Sequence, residues 1–326
     1  MLKVAAGRAP VIAGAWVAIV AVTAWAYRDI AHQQLLHWDD IRYLVENPHL
    51  RELSLRNLAW MFTGVWLSNW HPLTWLSLGL DHALWGLNAP LYKLENVALH
   101  LLCSAALMLL TVRLMQRART PGPALPAGDS RPLVAGIAAA ALFALHPQHV
   151  ESVVWVAERK DILCGLFYVL AIICYVNGAG AALHRRWHTL MLLSAALALA
   201  SKPMAVTLPL VLMVLDIHPL RRFAERRGPR AFIATLLQNK IGLLLMSAGV
   251  AAITLIAQRH EVQGLAGFGL EARLVSAALA VLHYLRALLF PVGLAAFYPF
   301  HPWVTQLTAW SAAPVAAVAV LCVAQG

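Results

Sequence analysis

Residues Pro132–Asn177 read PLVAGIAAAALFALHPQHVESVVWVAERKDILCGLFYVLAIICYVN. An apolar run (132–146) gives way to a polar segment that ends at Asp161, and a second apolar run (162–177) follows. Both runs are continuous and rich in Ala, Leu, Ile and Val, with no alternation of polar and apolar positions. Lipid offers backbone groups no hydrogen-bond partner, so a chain crossing it forms helices or a closed barrel. Runs without a period of two are helices. The stretch therefore reads as a membrane helix, a polar excursion to one surface, and a helix returning.

The same reading extends outward in both directions. It places spans at 11–28, 93–112, 132–146, 162–177, 188–201, 203–217, 236–257, 275–290 and 308–324. The chain has 326 residues, 61% hydrophobic and 12% charged, whereas a soluble domain carries about 25% charged residues. The expected fold is an all-α integral membrane protein, one domain over 1–326, with about eight or nine transmembrane helices. The first run, Val11–Tyr27, follows Lys3 and Arg8 as a secretory leader would. No small-x-small cleavage site follows it, so an uncleaved first span is expected. Cys103, Cys164, Cys174 and Cys322 all lie in apolar runs without metal-ligand spacing, which predicts packing residues and no disulfide.

Charge sets the orientation. Arg113, Arg117, Arg119 and Arg131, then Arg185 and Arg186, then Arg221, Arg222, Arg226, Arg227 and Arg230, fall in alternate loops. The positive-inside rule makes these loops and the N-terminus cytoplasmic. Of 15 acidic residues only Asp129, Asp216 and Glu225 share that side. The net charge of +10 is thus a matter of topology, and no nucleic-acid partner is called for. The outer side receives a long first loop (29–92), a second (146–161) and a later one (258–274). In the first loop Ser54 caps a helix whose Leu55, Leu58, Ala59, Phe62, Val65 and Trp66 form one apolar stripe, as in a helix lying in the membrane interface. Segment 120–131, rich in Pro and Gly, reads as a linker. The span 275–290 either returns inward or is a re-entrant or in-plane helix.

Three outer segments carry chemistry. Asp39 and Asp40 are adjacent carboxylates beside a membrane surface. They either give a general base of raised pKa, share a divalent cation, or are solvated acids capping the next helix. Glu151, Glu158 and Asp161 fall near one helical face, and Arg159 and Lys160 between them are suited to a phosphate, Arg as a fork and Lys as a point charge. An interfacial helix with internal ion pairs is the structural alternative. Lys202, in Ser201-Lys202-Pro203, joins two spans with almost no loop, and must snorkel, pair or bind an anion. His71, in Asn69-Trp70-His71-Pro72, is a weaker binding candidate. His146 and His149 have a metal-ligand spacing that Pro147 disturbs, and His100 reads as a hydrogen-bonded bundle residue.

Taken together, HWDDIRYLVENPHL (37–50), NWHPLTWLSLGLDHALWGLN (69–88), LFALHPQHVESVVWVAERKDIL (142–163), LASKPMAVTLPLVLMVLD (199–216) and YLRALLFPVGLAAFYPF (284–300) resemble, in order, bacterial proteins related to the transmembrane and tetratricopeptide-repeat O-mannosyltransferases. The resemblance implies a GT-C-like bundle and an enzyme using a polyprenyl-phosphate-linked sugar, with acidic catalytic residues in the first outer loop. It implies that Asp39 and Asp40 are the catalytic pair, and that Arg159, Lys160, Lys202, Glu158, Asp161 and His71 bind the donor or its phosphate. Members of that family continue into further spans and repeats, and this chain is expected to lack them. The function expected is inverting transfer of a sugar to a hydroxyl, such as Ser or Thr of an exported protein, at the periplasmic face of a bacterial inner membrane. No cofactor is implied beyond a divalent cation at the acidic pair. The alternative is a non-catalytic scaffold or a carrier of lipid-linked sugar.

Overall fold

A computed structural model describes residues 9–118, 129–178, 185–222, 230, 233–234, 237, 240–259, 269–295 and 298. Among them the secondary structure is helical throughout, apart from one isolated bridge between Trp66 and Asn69. The main helices are α1 (Ala9–Ala26), α2 (Leu55–Thr63), α3 (Pro72–Trp85), α4 (Ala89–Arg117), α5 (Arg131–Leu145), α6 (Arg159–Asn177), α7 (Arg185–Ser201), α8 (Leu208–Ile217), α9 (Ile241–Ala257) and α10 (Leu270–Leu289). Each of the first eight expected spans overlaps one of these helices, although 203–217 is a tight turn (Pro203–Thr207) followed by the ten residues of α8, and 236–257 is α9 only from Ile241; the ninth, 308–324, lies outside the described residues. Among the described residues four helices are long and apolar enough to cross a membrane by themselves: Ala9–Ala26, Ala89–Arg117, Val156–Asn177 and Ala272–Leu289. There are five if Arg131–Leu145 and Pro147–Val154 form a single span. The protein is a helical membrane protein.

The described chain falls into two compact units. The larger comprises Met1–Leu145 with Ser152–Ala257, and the smaller His146–Glu151 with Gln258–Gly326. In the larger unit α4 and α6 are central, with α5 packed on α4 and α7 on α6. Gly136 lets α5 approach closely, because a Cβ there would stand 2.7 Å from Val112 Cγ2 and 3.0 Å from the Met108 carbonyl. Ala106, Leu110, Ala171, Tyr175, Met191, Ala195, Leu208, Leu212 and Leu243 make the bundle core. Helix α4 has 29 residues, about 43 Å at 1.5 Å per residue, against roughly 30 Å of hydrocarbon. Its first turns therefore have length to spare for polar contacts.

The segment preceding α4 has a core of its own. Tyr43, Leu44, Leu50, Met61, Trp75, Leu78 and Tyr92 pack around Trp155, Val156 and Ala157. The two long polar excursions thus share one hydrophobic cluster, in which Tyr43 and Trp155 are 112 positions apart in sequence. Helix α2 starts where Ser54 accepts a hydrogen bond from the Asn57 amide (3.3 Å). Its Met61 is buried, while Leu55 and Phe62 are exposed. Gly86, at φ 61°, ends α3 and donates its amide to the His82 carbonyl (2.9 Å), which turns the chain into α4.

In the smaller unit the described part is the turn Pro147–His149 and α10, with Ala272, Val275 and Leu279 in a small cluster. His146 Nε2 lies 3.0 Å from the Leu288 carbonyl.

Candidate active site

The acidic pair sits at the head of the turn Ile41–Val45, where the Glu46 amide reaches back five residues to the Ile41 carbonyl (2.9 Å). Such wide helical turns are uncommon and recur at functional sites. The two carboxylates have different surroundings. Asp40 is fully buried; its Oδ2 accepts from the Leu36 amide (2.9 Å) and its Oδ1 from the Ala157 amide (2.8 Å). Burial raises its pKa above the usual carboxylate range, opposed by those amides and by Lys93. Asp39 is half-buried and makes no hydrogen bond or ion pair with any described residue. One carboxylate is therefore occupied with structure, and the other is available.

Tyr43 links the pair to the second polar excursion. Its hydroxyl lies 3.3 Å from His71 Nδ1, and its ring stands 5.2 Å from Lys160 Nζ. Burial raises the pKa of the phenol, and the negative charges of Glu158 and Asp39 raise it further. His71 is almost fully buried, and its pKa falls to about 3, first by desolvation and then by the positive charges of Lys160 and Lys202. It is a neutral imidazole at physiological pH, so it can orient the Tyr43 hydroxyl but carries no charge for a phosphate.

Lys160, Lys202, Glu158 and Asp161 form a cluster of two cations and two anions. Lys160 Nζ is 2.6 Å from Glu158 Oε1, and Lys202 Nζ is 3.7 Å from Glu158 Oε2 and pairs closely with Asp161. Ser152 Oγ lies 3.5 Å from Asp161 Oδ2. Lys202 is held at its backbone: Thr74 of α3 donates to the Ser201 carbonyl (3.1 Å), and Cys164 Sγ approaches the Lys202 carbonyl (3.8 Å). The side chains of Lys202 and Asp161 keep 22% and 33% of their surface exposed, so this side of the cluster is open.

Arg159 faces elsewhere. Its side chain has 0% exposure. It donates to Asn96 Oδ1 (2.7 Å), Ser77 Oγ (3.0 Å) and the Tyr92 carbonyl (2.8 Å), pairs closely with Asp81, and lies 3.7 Å from Glu95. Burial and the neighbouring Glu95 push the Asp81 pKa up to about 7, against the pull of Arg159. This network joins α3, α4 and α6, and the guanidinium fork is filled by the protein itself.

The structure thus brings Asp39, Asp40, His71, Glu158, Lys160, Asp161 and Lys202 into one neighbourhood and turns Arg159 away from it. Tyr43 and Lys93 are additions. Tyr43 follows Asp39 by four positions, which puts them on one side of a helical turn. Lys93, fully buried, donates to the Gln34 carbonyl (2.7 Å) and to Gln33 Oε1 (3.3 Å); a lone Lys at the head of an apolar span was the available signal. Among the described residues no group of three or more His, Cys, Asp and Glu side chains is arranged to hold a metal. His100 is buried in the bundle, 3.2 Å from the Ala144 carbonyl and stacked on Phe143. Cys103, Cys164 and Cys174 are buried and free; Cys322 lies outside the described residues.

Comparison with curated proteins finds similar stretches of sequence. Protein O-mannosyl-transferase TMTC2 of Mus musculus is 35% identical over 109 residues, 33% of this chain and 11% of that protein. Protein O-mannosyl-transferase Tmtc1 of Drosophila melanogaster is 35% identical over 151 residues, 46% of this chain and 16% of that protein. The chain is related to the protein O-mannosyl-transferases. Protein O-mannosyl-transferase TMTC1 of Mus musculus matches more of it, 28% identical over 183 residues, or 53% of this chain. The matched stretches span less than a fifth of the length of these O-mannosyl-transferases. No protein-family model and no solved structure matches the chain.

Proposed function

We propose that the protein is an inverting GT-C-type glycosyltransferase that moves a sugar from a polyprenyl-phosphate donor to a hydroxyl, such as Ser or Thr of an exported protein. The site lies at the periplasmic face of a bacterial inner membrane, in a bundle of about eight or nine spans whose N-terminus is cytoplasmic. The loop 29–92 is periplasmic, with α2 in the interface. The observation that carries the reading is a half-buried carboxylate, Asp39, with no hydrogen-bond or ion-pair partner among the described residues, near an open cluster of lysines. The related proteins are named O-mannosyl-transferases, which supports sugar transfer to protein.

The chemistry assigns one task to each group. The acceptor oxygen attacks the anomeric carbon while Asp39 takes its proton. The bond from that carbon to the phosphate oxygen breaks on the opposite face, and polyprenyl phosphate leaves with the electron pair. Lys160 and Lys202 meet the charge that develops on the leaving oxygen. Asp40 fixes the corner on which Asp39 stands, and Arg159 fixes α3 and α4 against α6. A divalent cation bound by Asp39 is the second source of counter-charge, and chelation distinguishes the two.

The test is transfer by purified protein in proteoliposomes, from a prenyl-phosphate mannose to a hydroxyl peptide, with and without chelator. Asp39→Asn keeps side-chain size, and we expect normal membrane levels with transfer lowered about 10² to 10⁴-fold. Wild-type transfer by that variant removes Asp39 from the chemistry.

A further inference from the structure

Trp38 immediately precedes the acid assigned as base, and its position has a use that the transfer step leaves open. Its side chain is 54% exposed. The ring is backed by that of Trp155, with centroids 5.7 Å apart and planes inclined by 32°. Trp155 is two residues from Ala157, whose amide Asp40 holds. Trp38 and Asp39 therefore stand on a corner fixed by Asp40 on one side and by Trp155 on the other, and the indole projects from it on a firm support.

A membrane protein exposes many apolar side chains to lipid, but the surroundings of Trp38 are polar. His32, Gln33, Gln34 and His37 outnumber the exposed Ala31 and Leu36 in the same stretch, and Asp39 follows. A surface facing the hydrocarbon core would not gather these groups. An aromatic face beside amides, imidazoles and a carboxylate has the composition of a surface for a pyranose. The C–H bonds on one face of a sugar ring carry partial positive charge and lie against the electron-rich face of an indole. The hydroxyls around the ring edge need hydrogen-bonding partners, which the neighbouring polar side chains can supply.

We infer that Trp38 is the stacking platform for the sugar ring that is transferred, and that it sets the ring beside Asp39. The inference rests on the glycosyltransferase reading for the identity of its ligand. Proximity supports it, because the anomeric carbon must lie within a few ångströms of the oxygen that the base deprotonates, and adjacent residues are about 3.8 Å apart at Cα.

The test compares Trp38→Ala, Trp38→Phe and Asp39→Asn with the wild type, all in nanodiscs. Saturation-transfer NMR with methyl α-mannoside reads sugar binding without turnover. Wild type and Asp39→Asn should give the binding signal, Trp38→Ala should lose it, and Trp38→Phe should keep most of it. In the transfer assay Trp38→Ala should raise the donor KM on the order of tenfold, equivalent to about 1.4 kcal/mol, and change kcat less. Asp39→Asn should do the reverse. An undiminished mannoside signal in Trp38→Ala, or no signal in the wild type, overturns the platform. A lowered membrane content of Trp38→Ala with its mannoside signal intact makes Trp38 a bilayer anchor and overturns it too. A signal that depends on Trp38 in a wild-type protein without turnover keeps the platform and removes the transferase reading.

Discussion

Arg159 and Lys160 are adjacent in sequence and belong to opposite kinds of network. Arg159 is sealed among Ser77, Asp81, Tyr92 and Asn96, with no exposure. Lys160 belongs with Glu158, Asp161 and Lys202 to a cluster that opens at Lys202 and Asp161. The first is closed because a planar fork with five donors can be filled by fixed acceptors on two other helices. The second is two anions and two point charges, and Glu158 is shared between Lys160 and Lys202. The same division separates Asp40, which holds two amides, from Asp39, which holds none. Side by side, one residue of each pair is locked into the frame, and the other is left with the more open surroundings.

The strongest way to break this contrast is Arg159→Met. It leaves the buried Asp81 without its cation, and removing one partner of a buried ion pair costs about 3–5 kcal/mol. We expect little folded protein in the membrane fraction, measured by fluorescence-detected size exclusion. Normal levels with only a donor defect would move Arg159 into the binding site. Lys202→Met should instead leave protein levels near normal and raise the donor KM roughly 10- to 100-fold, the worth of a charged hydrogen bond. The effect should shrink with added salt because the pair is partly exposed. Asp40→Asn sharpens the comparison within the acidic pair. The amide oxygen can still accept one backbone N–H, but its NH₂ cannot accept the other, so stability should fall by about 1–3 kcal/mol while each folded molecule stays active. A thermal-shift assay alongside turnover per folded protein reads both.

The smallest effect at neutral pH concerns His71. In the folded protein its pKa is lowered to about 3, below the ordinary value near 6.5. Between those values the unfolded chain binds a proton that the native state refuses. Stability contributed by the neutral ring is therefore present above about pH 6.5 and is lost as pH falls toward 3. Melting temperatures across that window should decline less in His71→Gln than in the wild type. Parallel curves would show that the imidazole does not control acid stability.

Much of the helical frame was legible because a run of apolar residues in lipid has few choices. The Ser54 cap was legible for local reasons, but the apolar stripe was drawn too long: α2 ends at Thr63, before Val65 and Trp66, and buries Met61, which the stripe left out. The burial of Arg159 was not, because Arg159 and Lys160 have similar sequence surroundings. The difference lies in Ser77, Asp81 and Asn96, which a distant part of the chain supplies. The unequal roles of Asp39 and Asp40 were hidden likewise, since one of the two amides on Asp40 belongs to Ala157. Adjacent residues of one charge look alike until long-range partners choose between them.

The hydrogen bond from Ala157 to Asp40 spans 117 residues, and this has a consequence in time. A ribosome adding about 5–20 residues per second takes on the order of ten seconds between the two. During that interval the acidic corner has emerged, but the strand of chain that clamps it has not. The corner therefore closes only after α4, α5 and the head of α6 have been made, so this part of the fold cannot be completed while the chain ahead of α6 is still emerging.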